Sequence, residues 1–94
     1  MKKDISSNVM NYRLKQLIKA NTVKAVYKLT DKSVYEVGKY YWCGYWQKYY
    51  KVLAVGYKDY GYPKSVTIRW EDGRVTTHCT SLDSKKDYEL IVNE

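Results

Sequence analysis

Two alternating runs, residues 66–70 and 75–79, flank the dipeptide Asp72-Gly73, and no other feature constrains the fold of this chain as much. Asp-Gly in that setting marks a two-residue hairpin turn of type I′, whose central residues both take a positive φ. Such a turn would set Glu71 opposite Arg74, Trp70 opposite Val75, Ile68 opposite Thr77 and Val66 opposite Cys79. Side chains alternate across a strand, so Val66, Ile68, Trp70, Val75, Thr77 and Cys79 would share one face. Thr67, Arg69, Thr76 and His78 would share the other, with Glu71 and Arg74 as a cross-strand charge pair. His78, the only histidine, is then a solvated residue beside Thr67.

The rest of the chain from Val34 onward also favours strand. Residues 34–42 form a run rich in Val, Tyr and Trp that Gly38 bends or breaks. Residues 43–47 are a loop with two aromatics, 49–57 a long strand, and 58–64 a turn-rich loop holding Gly61 and the only proline, Pro63. A short 3₁₀ or turn segment at 80–83, plugged by Leu82, leads to a last strand at 86–92. Before Val34, residues 7–20 place Val9, Tyr12, Leu14, Leu17 and Ile18 along one helical stripe. Ser6 or Ser7 suits its N-cap, and Asn21 a left-handed C-terminal closure. Residues 22–30 suit a strand by alternation, or a short second helix capped by Thr22.

The motifs Tyr35-Glu-Val-Gly-Lys39, Tyr50-Lys-Val-Leu-Ala-Val55 and Val66-Thr-Ile-Arg-Trp-Glu-Asp-Gly-Arg74 resemble those of SH3-like small barrels of the Tudor type. The resemblance covers residues 34–92. It implies that residues 34–94 form a five-stranded barrel, which with the N-terminal helix read above makes the fold mainly β. Residues 1–33 would pack on that barrel as a basic helix plus a strand or second helix, in one compact domain. The resemblance also implies an aromatic cage for a methylated cation, for which Trp42, Tyr45, Trp46, Tyr49, Tyr57, Tyr60 and Tyr62 are candidates and Asp59 the nearby acid. The small size and the Lys- and Tyr-rich composition are similar to accessory proteins of bacteriophages.

Charge and aromatic content narrow the functional classes. Lys and Arg outnumber Asp and Glu by 17 to 10 in 94 residues, a net +7, which excludes an acidic mimic of DNA. Residues 1–33 hold eight of these cations (Lys2, Lys3, Arg13, Lys15, Lys19, Lys24, Lys28 and Lys32) against Asp4 and Asp31. A basic segment of that kind favours phosphate backbones or acidic protein surfaces. Twelve Tyr and three Trp stand without one Phe, and most lie between Tyr35 and Trp70. Rings in predicted loops (Tyr45, Trp46, Tyr60 and Tyr62) lack a core role, and the cations Lys48, Lys51, Lys58, Lys64 and Arg69 lie near them in sequence. Stacking of bases on such rings while cations meet phosphates is one use of that pairing. Anchoring a protein partner is another.

The chain holds no G-x-G-x-x-G or G-K-[ST] motif, no paired acids outside a mixed-charge stretch and no placed partner for His78, so an enzyme is not expected. Cys43 and Cys79 are far apart and form no Cys-x-x-Cys, so neither a metal nor any other cofactor is expected. No window approaches the roughly 20 apolar residues of a membrane span. Met1-Lys2-Lys3 is followed by the polar Asp4-Ile5-Ser6-Ser7-Asn8, which points to the cytoplasm with both thiols free. The expectation is a non-enzymatic module binding nucleic acid through Arg13, Lys15, Lys19, Lys24, Lys28, Tyr45, Trp46, Lys48, Lys58, Tyr60, Tyr62 and Arg69. The alternative is a phage-encoded inhibitor of a host nucleoprotein complex, of the anti-CRISPR or anti-restriction kind.

Overall fold

The computed structural model describes residues 12–30, 32–57, 63–78, 82 and 86–93. Among them are one helix, α1 (Tyr12–Lys19), and six strands: β1 (Val23–Lys28), β2 (Tyr40–Cys43), β3 (Lys48–Tyr57), β4 (Pro63–Trp70), β5 (Val75–His78) and β6 (Tyr88–Val92). The stretch left open between strand and helix is therefore strand β1. Only the part of residues 34–42 that follows Gly38 is strand. Gly38 itself has φ 92°, a conformation that costs glycine nothing, and it turns the chain into β2.

Helix α1 ends as the sequence predicts. Asn21 is left-handed at φ 65°. The Thr22 amide donates to the Leu17 carbonyl and the Asn21 amide to that of Ile18, each at 3.0 Å. These are the two bonds of a Schellman closure, and they satisfy carbonyls that the helix end would leave orphaned. The proposed N-cap serines lie outside the described residues.

The strands form one antiparallel sheet in the order β1-β6-β2-β3-β4-β5. β2 to β5 run as a meander, and β6 returns to pair with both β2 and β1. The sheet is open: β1 and β5 are its two edges and do not pair with each other, so the closed barrel is not what the structure contains.

Each face of the sheet carries its own core. On one, Leu14 of α1 packs with Val23, Val26, Trp42, Tyr88 and Leu90, flanked by half-buried Leu17 and Ile18. On the other, Tyr41, Tyr50, Val52, Val66, Ile68 and Trp70 are covered by Leu29 and Tyr35 from the β1–β2 connection. Full burial of a large apolar side chain is worth about 1.5–3 kcal/mol. The second core shows what Tyr supplies at three positions that Phe would not. Tyr41 accepts the Glu36 amide through its hydroxyl at 3.0 Å, and the Tyr35 and Tyr50 hydroxyls meet at 3.0 Å. A ring that fills the core while its hydroxyl ties down the crossing segment does two jobs that Phe cannot.

The hairpin departs from its expected register by one residue. Arg69 pairs with Val75, Ile68 with Thr76, Thr67 with Thr77 and Val66 with His78. The loop is Glu71-Asp72-Gly73. The Gly73 amide donates to the Trp70 carbonyl and the Trp70 amide to the Arg74 carbonyl, both at 2.8 Å. Gly73 takes φ 91°. This is the three-residue alternative to a type I′ turn, in which a positive-φ glycine follows the turn. A slip of one residue moves every side chain of β5 to the other face. Val75 is accordingly 53 % exposed, and Thr76 and His78 lie on the Trp70 side instead of beside Thr67. Glu71 is released from Arg74: its side chain accepts the Tyr49 amide at 3.1 Å and pairs with Arg13 of α1.

Candidate functional site

The turn between β2 and β3 presents two rings to solvent, Tyr45 at 72 % exposure and Trp46 at 62 %. It is fastened at both ends. The Gly44 amide donates to Asp87 Oδ1 at 3.0 Å, and the Gln47 amide to the Cys43 carbonyl at 2.7 Å. Gly44 lies so close to residue 86 that a Cβ there would collide with the Lys86 carbonyl oxygen. The turn is thus held against the chain before β6, with Lys86 Nζ 5.8 Å from the Tyr45 ring centroid. Tyr45 and Trp46 meet edge to face at 5.0 Å.

Across from this turn, the register of β5 builds a polar chain along the sheet. Trp70 Nε1 donates to Thr76 Oγ1 at 2.8 Å, and Thr76 Oγ1 lies 2.6 Å from His78 Nε2. The Trp70 and His78 rings stand edge to face at 6.2 Å. Trp46, Lys48, Trp70, Arg74, Thr76 and His78 together line a cleft of about 330 Å³. Lys48 belongs on this side because it shares its strand face with Tyr50 and Val52.

The Asp72 carboxylate stands near these cations. Asp72 Oδ1 accepts the Arg74 amide at 2.9 Å, and Oδ2 lies 3.8 Å from Arg74 Nε. That backbone hydrogen bond, helped by Arg74 and Lys48, holds the Asp72 carboxyl below its ordinary range. Both side chains are more than half exposed, so the ion pair itself is weak and leaves the guanidinium available.

The residues singled out in the sequence divide among several places. Trp46 and Lys48 enter the cleft, and Tyr45 stands beside it. Arg69 is exposed on the opposite sheet face, level with Lys51, whose ammonium lies 5.7 Å from the Tyr40 ring centroid. Arg13 is bound to Glu71. Lys15 and Lys19 ride on α1, Lys19 in its last turn, while Lys24 and Lys28 lie exposed on edge strand β1. The helix covers the face away from the cleft, and none of Arg13, Lys15, Lys19, Lys24 and Lys28 lines the cleft. Lys58, Tyr60 and Tyr62 lie outside the described residues. The aromatic cage does not assemble from the described candidates, since Trp42 is 1 % exposed beneath α1 and Tyr49 packs on that same core.

Arg74, Thr76 and His78 were not foreseen as site residues, and Trp70 was foreseen only as core. The signal that could have found them is Glu-Asp-Gly read as a three-residue loop. Among the described residues no group of three or more His, Cys, Asp or Glu side chains could hold a metal ion. Nor is any described helix long and apolar enough to cross a membrane. Comparison with protein families, characterised proteins and solved structures finds no match to this chain.

Proposed function

We propose that this protein is a small, non-enzymatic module that binds nucleic acid at the cleft between the β2–β3 turn and the β4–β5 hairpin. The observation that supports this reading is the pairing of an exposed, fastened indole, Trp46, with Lys48 and Arg74 around one concavity. Ring faces stack on bases regardless of sequence, and cations beside them meet phosphates. The helix-borne Lys15 and Lys19 act at longer range, raising the local concentration of polyanion. The finer fold likeness belongs to the same proposal: the β2–β5 meander with β6 returned beside β2 reads as an opened relative of Tudor-type barrels.

The test is a titration of labelled DNA and RNA at low salt. Lys48→Glu with Arg74→Glu abolishes binding, whereas Lys15→Glu with Lys19→Glu weakens it less. No binding at low salt, or binding indifferent to salt, ends the reading, because phosphate contacts make affinity fall steeply with salt.

A second reading, a protein-binding inhibitor of a nucleoprotein complex, draws on the Tyr45–Trp46 pair, whose exposure and fixed turn suit an interface anchor. A complex that survives nuclease treatment and is lost in Trp46→Ala favours it over direct nucleic-acid binding.

A further inference from the structure

We infer that the cleft receives an unpaired base of a single-stranded nucleic acid, stacked on Trp46, with the flanking phosphates on Lys48 and Arg74. This rests on the nucleic-acid reading above and names its substrate class.

Shape is the first argument. The cleft holds about 330 Å³, close to the lower end of the roughly 300–1,000 Å³ of sites that enclose small molecules. That suits a single planar base, not the side of a double helix. A duplex keeps its base faces stacked inside and offers only phosphates and groove edges. Among the described residues no helix near this cleft is available to enter a groove, because α1 packs by Leu14 on the other face of the sheet.

The chemistry of the walls points the same way. The Trp70 N–H is already spent on Thr76, and the Thr76 hydroxyl is shared with His78 Nε2. These indole and hydroxyl groups are engaged with one another, and the exposed ring of Trp46 is the stacking surface on offer. Stacking of that kind tolerates any base. Attachment of Gly44 to Asp87 fixes the turn before the ligand arrives, so little ordering entropy is lost on binding. The two cations Lys48 and Arg74 suit a short stretch of backbone.

Anisotropy titrations of the full chain with a short labelled oligodeoxythymidylate, and with a duplex of the same length, test this. The single strand is expected to bind more tightly and to quench tryptophan fluorescence. Trp46→Ala should weaken it about 5- to 150-fold, the range that stacking of one base spans. Trp46→Phe, which keeps a ring, should recover most of that loss. Lys48→Gln should lower the log–log salt slope by about 0.7, the share of one phosphate contact in a single strand. Circular dichroism checks that each variant is folded. Equal or tighter binding of duplex, or an unchanged affinity in folded Trp46→Ala, overturns the single-strand inference and leaves the nucleic-acid reading standing. Failure of folded Trp46→Phe to recover binding overturns stacking in the same way. Absence of binding to either oligonucleotide at low salt overturns both.

Discussion

Replacing Glu71 with Ala removes a clasp that joins three elements. Its Oε1 accepts the Tyr49 amide at 3.1 Å at the start of β3, and its Oε2 pairs with Arg13 on α1. A hydrogen bond to a charged group contributes about 1.5–3 kcal/mol when partly buried. The ion pair adds less, since Arg13 is 44 % exposed and Glu71 17 %, and exposed pairs contribute about 0.2–1 kcal/mol. A loss of about 2 kcal/mol for Glu71→Ala follows, or roughly 8–16 °C in Tm for a domain of this size. Arg13→Ala should cost at most about 1 kcal/mol, and less in high salt. Glu71→Gln, which keeps an acceptor for the Tyr49 amide, should fall between the two. Urea unfolding of the single variants and of the Arg13/Glu71 and Glu71/Arg74 double variants measures each coupling. Coupling of Glu71 to Arg13 and not to Arg74 is expected. The opposite result, or a Glu71→Ala variant within about 0.5 kcal/mol of the parent, would refute the clasp.

Burial, with Tyr35 alongside, pushes the Tyr50 phenol far above its ordinary 10.0. The unfolded chain ionises there near 10, so stability is intact below about pH 10 and falls as pH rises beyond it. Tyr50→Phe should make the alkaline limb of a denaturation profile shallower, and an unchanged limb would contradict the assignment. Gly44→Ala should lower Tm and weaken oligonucleotide binding together, because the new Cβ meets backbone at Lys86; heteronuclear NMR shifts confined to residue 44 would argue otherwise. Asp72 has its carboxyl lowered by the Arg74 amide, so its small contribution is present above the ordinary carboxylate range and disappears as pH falls through its folded value. Its NMR titration midpoint should lie below 3.8, and Asp72→Asn should tighten polyanion binding by removing a competing charge.

Strand and helix positions were largely legible in the sequence because local chemistry dictates them. The apolar stripe of Leu14, Leu17 and Ile18 needs a helix, and Asn21 can adopt the left-handed closure that ends it. Alternation in Val66–Trp70 needs a strand. The Trp46 and Lys48 half of the cleft was legible for a related reason: aromatic residues in a loop have no core to fill. What only tertiary structure decided is the hairpin register, and with it the other half of the cleft. Asp-Gly fits a two-residue turn, and Glu-Asp-Gly fits a three-residue one. The choice between them involves Tyr49 and Arg13, which give Glu71 partners far away in the chain. That long-range pairing carries Thr76 and His78 to the Trp70 side, while the burial of Leu14 sends the basic helix to the other face. Period-two alternation is a local property; the choice of which face becomes interior belongs to contacts between residues distant in sequence.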